Sequence, residues 1–317
     1  MKRNTYTLTD NIAFTANTPV SVDLPRSGYI THISCLLRLD ITAAAGATSN
    51  EDAMARVIKA AKITAAGGKN YFDIKDGRVW KYWNYFRYLG QIRDESVPTS
   101  GSNNIVRAHF PIHLGFDPFN LYDAKVVIPA RDIQNPKMEI TWGSSSDIGD
   151  NQTINDGEMT LTISEIVLEE GERVEDIFTQ GIVTPRFEHR TKSITTTYSD
   201  LGLEDEVPVG DTLYMSTIMM LNSAGNRTDS DMTEVGIKFP RRRETPYKVS
   251  WQERKASSRL LFSTAADITG ASLIPWEFVS LSPFGIDLTL AQIGDVKLGF
   301  TIGTSGGVLH ILHYALG

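Results

Sequence analysis

Six histidines are the first residues to test for metal or acid–base chemistry. His109 and His113, in AHFPIHLGF, fall at i and i+4. On one strand they would share a face but stand about 13 Å apart at the ~3.3 Å rise per residue, too far to chelate one ion without a bend. His310 and His313, in VLHILHY, would point to opposite faces of a strand. Cys35 is the single cysteine, so it closes no intrachain disulfide and belongs to no thiolate cluster. Inside the apolar stretch Ile30 to Leu39 it reads as a small buried hydrophobe rather than a nucleophile. The glycine-rich GTSGG at Gly303 to Gly307 sits between two expected antiparallel strands and not before a helix, which predicts a hairpin turn and no serine-hydrolase elbow. No Gly-x-x-x-x-Gly-Lys-Ser/Thr phosphate loop occurs. No catalytic, cofactor-binding or metal-ligating residue is assigned, and no cofactor is implied.

Weaker constellations remain. The pairs Glu169-Glu170 and Asp205-Glu206 and the loop SSSDIGDNQTINDGE have the oxygen chemistry of a calcium site. The spacing Asp147, Asp150, Asn151, Asn155, Asp156 does not follow the twelve-residue helix-loop-helix pattern, so an exposed loop is expected. The Asn-x-Thr sequons at Asn151 and Asn226 have no visible secretory signal to bring them to glycosylation. Trp80 to Tyr88 interleaves aromatics with bases, the composition of a platform for single-stranded nucleic acid or of a membrane-interface segment. Aromatic density this high is more often buried, which makes Trp80, Trp83 and Phe86 candidates for packing inside a domain or a subunit interface. Arg241, Arg242 and Arg243, in KFPRRRETPYK, form either a solvated turn or an anion, lipid-headgroup or subunit contact. Lys2-Arg3 is the other basic patch. A net charge of -7 argues against sequence-specific or general nucleic-acid binding, because phosphate affinity comes mostly from clustered Lys and Arg.

These residues need elements to position them. The 317 residues suggest two domains, and 41% hydrophobic with 22% charged residues is a globular composition. No run reaches the ~18 uninterrupted apolar residues of a membrane span, and MKRNTYTLTDN lacks the apolar stretch of a secretory signal, so a soluble chain without an export address is expected. Thr, Val and Ile recur at alternate positions between turn residues, the pattern of strands. The first half carries candidates at Thr5 to Phe14, Val20 to Leu24, Tyr29 to Ile41, Ile105 to His113, Ala124 to Pro129, Lys137 to Trp142 and Glu158 to Leu168. The second carries them at Ser193 to Tyr198, Leu213 to Leu221, Thr233 to Phe239, Leu260 to Ser263, Phe278 to Leu281, Ile286 to Leu290, Asp295 to Gly303 and Val308 to Ala315. Between Tyr247 and Ile274 helix and strand templates fit about equally. No regular alternation of strand and helix is present, which favours antiparallel sandwiches over a parallel α/β fold.

Two helices are expected in the first half. Ser49 to Asp52 offers a cap, Met54, Val57, Ile58 and Ala61 fall at i, i+3, i+4 and i+7, and Gly67-Gly68 supplies the stop. Arg78 to Leu89 places Lys81, Asn84 and Arg87 on a polar stripe opposite Trp80, Trp83 and Phe86. Both would be insertions between strands. Five carboxylates fall within Glu169 to Asp176, and Val174, Ile177 and Phe178 form an apolar patch, so a short amphipathic helix ending at Gly181 is expected as the connection. This places a first domain at 1–172 with its helical insertion near 50–90, a linker at 173–190 and a second domain at 191–317.

The halves also repeat features in the same order. Leu24-Pro25-Arg26-Ser27-Gly28-Tyr29-Ile30 and Val207-Pro208-Val209-Gly210-Asp211-Thr212-Leu213 each precede a long apolar strand. Lys137 to Gly143 and Lys297 to Gly303 each lead through a turn to the last strand of their half, MTLTISEIVL and VLHILHYAL. Two β-rich halves, a helical insertion, a short linker and no catalytic signature resemble the double jelly-roll major capsid proteins of tailless, membrane-containing icosahedral bacteriophages and the adenovirus hexon lineage. The resemblance covers the whole chain and is architectural, since that lineage has no short diagnostic motif.

The resemblance implies an all-β fold of two tandem eight-stranded antiparallel jelly rolls with short helical insertions. It implies a structural protein and not an enzyme: a homotrimer of nearly hexagonal outline that tiles an icosahedral shell beside neighbouring capsomers, with penton and minor capsid proteins as further partners. Its place is then the virion, with assembly in the host cytoplasm. An internal lipid membrane or genome lies beneath such shells, and Lys2 and Arg3 would meet its anionic groups from the inner face. Two-domain cupins share the gross anatomy, but their metal site needs two histidines one residue apart, and no His-x-His occurs. The alternative from another class is a tandem β-sandwich that binds carbohydrate or attaches to cells.

Overall fold

Buried and more exposed side chains alternate along strands such as Leu37–Ala43 and Lys137–Trp142, and the computed structural model is built of antiparallel sheets with a few short helices. The structure describes residues 1–123, 125–178, 181–242, 244–262, 268–276, 286–288 and 294–317. Contacts divide the chain into two compact units, Met1–Pro185 and Arg186–Gly317.

The first unit runs through β1 (Lys2–Thr7), β2 (Ile12–Ala13), β3 (Pro19–Asp23), β4 (Tyr29–Ala43), α1 (Ala53–Arg56), β5 (Ile58–Thr64), β6 (Asn70–Ile74), α2 (Gly77–Arg87), β7 (Gly101–His109), β8 (Ile112–His113), β9 (Lys137–Trp142), α3 (Ser145–Ile148), β10 (Gln152–Val167) and α4 (Val174–Ile177). One sheet has the order β1-β10-β4-β7, with β2 added to β10 and β8 to β4; the other has the order β3-β9-β5-β6. The two longest strands lie together, with Ile33 opposite Ile163 and Cys35 opposite Leu161. Ile33, Cys35, Leu37, Leu39 and Ile41 of β4 are buried and alternate with half-buried Ser34, Leu36, Arg38, Asp40 and Thr42. Each fully buried Ile or Leu of such a row contributes about 1.5–3 kcal/mol by leaving water. A satellite cluster seats Phe178, just after α4, against Tyr29 at 5.0 Å between ring centroids, with Val127 beside them.

The second unit runs through β11 (Pro185–Ser193), β12 (Tyr198–Glu206), β13 (Thr212–Leu221), β14 (Met232–Phe239), β15 (Glu244–Ser250), α5 (Trp251–Leu261), β16 (Ala271–Pro275), β17 (Ile286–Asp287), β18 (Lys297–Ile302) and β19 (Val308–Leu316). Its sheets have the orders β11-β19-β13-β16, with β17 added to β13, and β12-β18-β14-β15. Apart from the two-residue β2, which has no counterpart among the described residues, these are the orders of the first unit, and α5 enters between β15 and β16 as α2 enters between β6 and β7. Its core is built from Ile218 and Met220 of β13, Val235 and Ile237 of β14, Leu298 and Phe300 of β18 and Leu309 and Ile311 of β19, with Trp251 and Trp276 filling it.

Several local expectations are corrected. The helix over Ser49 to Ala61 is only the four-residue α1, entered from Asp52 in left-handed backbone at φ 56° with no side-chain cap, and Ile58 onward is strand β5 between β9 and β6. Ile58 and Ala61 keep the helical spacing of three and Ala61 and Ile63 the strand spacing of two, and the two flanking strands supply hydrogen bonds that decide for the strand, with a register irregularity between Ile58 and Ala60. Gly67-Gly68 becomes the turn into β6. Thr5 to Phe14 splits into β1 and β2, and Ser193 to Tyr198 falls on the gap between β11 and β12, whose many charged side chains hid the alternation. Leu260 and Leu261 end α5, while Ser263, like the expected strand at Phe278 to Leu281, lies outside the described residues. Within Ala124 to Pro129 only an isolated bridge from Ile128 to Ile30 forms, and Ala124 lies outside the described residues. The GTSGG turn is not a hairpin. It carries the chain from β18 in one sheet to β19 in the other.

Candidate functional site

The aromatic segment is the densest concentration of functional side-chain types, and α2 fixes its geometry. Asp76 caps the helix by accepting the Arg78 backbone N–H at 2.9 Å. Gly77 follows because a Cβ at this position would overlap the Ala55 carbonyl oxygen and lie 2.8 Å from Ile58 Cβ, so α2 sits tightly on α1 and β5. Trp80 is 0% exposed and packs edge-on against Phe72 of β6 at 5.1 Å and beside Phe110 at 5.3 Å, and its indole N–H donates to the Pro111 carbonyl at 3.1 Å. Trp83 and Phe86 are also buried.

The expected polar stripe of this helix is corrected: Asn84 and Arg87 are buried, and Lys81 is largely covered. Arg87 lies over the Trp83 ring at 5.2 Å. Lys81 pairs with Asp52 at 2.7 Å and with Asp94, while Tyr82 donates to the same Asp52 oxygen at 2.7 Å. Burial alone would lower the Lys81 pKa, but the two carboxylates outweigh it and raise it, so this amine stays charged and neutralised in place. The bases interleaved with the aromatics therefore face partners within the chain.

The histidines separate. His109 ends β7 and shares a 2.7 Å hydrogen bond with the Ser34 hydroxyl, whereas His113 lies on β8, beyond the break at Phe110-Pro111, so the single strand face expected for them does not exist. His310 meets His189 at 3.1 Å between ring nitrogens. His313 turns inward, where its Nδ1 meets the Ser216 hydroxyl of β13 at 2.8 Å and its Nε2 meets the Asp205 carboxylate of β12 at 3.1 Å.

A Ser–His–Asp series thus stands in the second unit, one that sequence reasoning missed because its members are 97 and 108 residues apart. It has the residue types and order of a hydrolase triad, but with the two ring nitrogens exchanged, since a hydrolase serine meets Nε2 and its aspartate Nδ1, and it has none of the access. Ser216 is 0% exposed, and its oxygen also accepts the Trp276 indole N–H at 2.7 Å. Burial would raise the Asp205 pKa, but hydrogen bonds from His313 and Lys192 and the Arg190 charge hold it below the ordinary value. The series is a polar strut between two sheets. Ser305 of GTSGG, whose spacing matches a nucleophile elbow, lies in an exposed turn followed by β19 and not by a helix.

The basic patches lie elsewhere. Lys2 and Arg3 are exposed on β1, an edge strand, opposite Val167 and Ile166, and Arg3 covers the Tyr122 ring at 5.4 Å. Arg241 occupies a single 3-10 turn, Pro240–Arg242, and pairs with Asp295 at 2.6 Å; Arg243 lies outside the described residues. A pocket of about 400 Å³ is lined by Ala65, Lys69, Tyr71, Asp132 and Gln134 among others, and Asp132 already accepts the Tyr29 hydroxyl at 2.9 Å. Among the described residues no group of three or more His, Cys, Asp or Glu is placed to hold a metal ion, and no helix is long and apolar enough to cross a membrane.

No family model matches the chain, and no curated protein matches it. Solved structures do. The STIV MCP superposes with a TM-score of 0.83 at 17% identity, covering 100% of this chain and 97% of that one. A chain in the atomic structure of Sulfolobus Turreted Icosahedral Virus gives 0.83 at 18% identity, covering 100% and 91%. The major capsid protein P2 from bacteriophage PM2 gives 0.61 at 10% identity, covering 99% and 97%. The chain has the double jelly-roll fold of viral major capsid proteins.

Proposed function

We propose that the chain is a major capsid protein that forms trimers of nearly hexagonal outline and tiles an icosahedral shell. One observation carries this reading: the likeness to the STIV MCP extends over the whole of this chain and nearly the whole of that one. In this reading each unit is an eight-stranded jelly roll, the first at 1–172 and the second at 191–317, with 173–190 as connector. The repeated strand order supports two matching units, with the first strand of the second, β11, beginning at Pro185 inside the connector. The role is structural and not catalytic; the burial of Ser216, His313 and Asp205 supports that. The partners are further copies of the chain, with penton and minor capsid proteins at special positions, and the location is the virion, after assembly in the host cytoplasm. Trp80, Trp83 and Phe86 serve packing within the first unit, and Arg241 to Arg243 provide an anion or subunit contact.

Light scattering and electron microscopy of the purified protein test the proposal. A mass three times the 35.1 kDa chain, with shells or hexagonal plates in the images, is expected. A monomer at micromolar concentration that forms no plates would sink it, and a monomer that retains glycans would place the chain among tandem β-sandwich carbohydrate-binding proteins instead. Lys2 and Arg3 are proposed as the inner-face contact with anionic lipid. Neutralising both as Lys2→Gln/Arg3→Gln should abolish most co-sedimentation with phosphatidylserine vesicles at low salt, and equal co-sedimentation of variant and parent would remove this contact.

A further inference from the structure

Under the end of α2 lies a set of basic groups with no carboxylate paired to it. His32 of β4 and His113 of β8 are cross-strand neighbours, 4% and 1% exposed, with ring centroids 5.5 Å apart. The Arg87 guanidinium, 5% exposed, donates to the His113 carbonyl at 2.7 Å, to the Gly115 carbonyl, and to the Phe116 carbonyl at 3.5 Å. Nδ1 of His32, the Asn84 amide and the Tyr88 hydroxyl have no hydrogen-bond partner, and the His113 ring has at most a weak one, to the Asp117 backbone.

The surrounding elements add little negative charge. From β7, His109 is bonded to Ser34 and repels a proton on His32. From the 114–123 loop, Asp123 is fully engaged by the backbone N–H groups of Phe116, Asp117 and Lys125. The Asp117 carboxylate accepts the Phe119 N–H at 3.0 Å, and its backbone is the one group that favours a proton on His113. From β10, the residue opposite His32 is the uncharged Ser164. Among the described residues no carboxylate forms an ion pair with Arg87, His32 or His113.

We propose that His32, His113 and Arg87 form an acid-sensitive latch: a proton arriving on either imidazole sets a second positive charge beside a buried guanidinium, and the last turn of α2 and the 114–123 loop come off the sheet to relieve it. The physical basis is the cost of an uncompensated charge in a desolvated site, which falls once the segment opens to water. Burial first, then His109 and Arg87, push the His32 pKa down to about 4; burial, Arg87 and His32 push that of His113 down to about 2. Both lie below the ordinary value of 6.5 that an opened segment would restore, so the open form binds more protons. The closed form is favoured fully above about pH 6.5. As pH falls from there toward 4, each histidine multiplies the opening constant about tenfold per pH unit, and the two together about a hundredfold.

The latch is a property of the single chain and stands whether or not the capsid reading does. Hydrogen exchange read by mass spectrometry on the full chain tests it from about pH 7 to about pH 5.3, corrected for intrinsic rates, a window that spans the ordinary imidazole range and stays about one unit above the ordinary carboxylate values near 4. Peptides covering 77–90 and 110–123 should lose protection by one to two orders of magnitude per pH unit, while those from β14 and β18 hold theirs. The double variant His32→Gln/His113→Gln, which cannot gain charge, should lose the step. Unchanged protection of 77–90 in the parent, or the same step in the variant, overturns the latch. Should the variant not fold, carbon-13 resonances of labelled histidines in the parent decide: His32 and His113 must take up protons over the interval in which the amides open, and titration without opening, or opening without titration, overturns it equally.

Discussion

Trp80→Ala is expected to lower the stability of the first unit by about 3–5 kcal/mol, the range for deleting a large aromatic ring from a packed interior. Two effects add. The indole fills the space between Phe72 and Phe110, and its removal leaves a cavity that β6 and the 110–111 segment, both tied into sheets or hydrogen bonds, cannot collapse to fill. Its N–H also satisfies the Pro111 carbonyl, which would lose its donor. Urea unfolding of the full chain, followed by a probe in the first unit, measures the shift. Trp80→Phe separates the two effects, since it keeps most of the ring volume and loses the N–H; it should cost about 1–2 kcal/mol. A loss below about 1 kcal/mol for the alanine variant would mean that α2 contributes little to the packing of this unit.

Asp205→Ala is expected to cost the second unit about 3 kcal/mol, because it leaves His313 with no acceptor at Nε2 and removes the counter-charge of Lys192, 3.1 Å away. Lys192 is partly exposed and regains some hydration, which keeps the figure at the low end for breaking a buried pair. The effect depends on pH with a definite sign. The Asp205 carboxyl is held below its ordinary value of 3.8 in the folded chain, so its contribution is complete above about pH 4 and is lost as pH falls through the lower folded value. The gap between parent and variant in urea should therefore be full near neutrality and narrow below about pH 3.5. A gap that stays constant into acid would show that the carboxylate is not what the strut depends on.

Strands with long, regular alternation were legible from the residues alone. Met159 to Ile163 has the buried face that period two implies, the strand expected at Val308 to Ala315 is there but buried on both faces from Leu309 on, and α2 is where Trp80, Trp83 and Phe86 place it. The helix–strand boundary at Val57-Ile58 was not, since Met54, Val57, Ile58 and Ala61 fit a helix equally well until β9 and β6 are alongside. The burial of Arg87 was hidden for a related reason. A polar residue on a helix reads as solvent-facing unless one knows that the carbonyls of His113 and Gly115 await it.

The residues by themselves determined that this is a β-rich chain of two similar halves, because side-chain period and the order of turns are properties of neighbouring positions and survive without contacts. Tertiary structure alone decided that β18 and β19 part into different sheets, and that Ser216, His313 and Asp205 converge while His109 and His113 separate. Those outcomes depend on which strands lie side by side across about a hundred residues of chain. That choice is made by the collective burial of apolar faces and by hydrogen-bond pairing between distant segments, neither of which leaves a local mark in the order of amino acids.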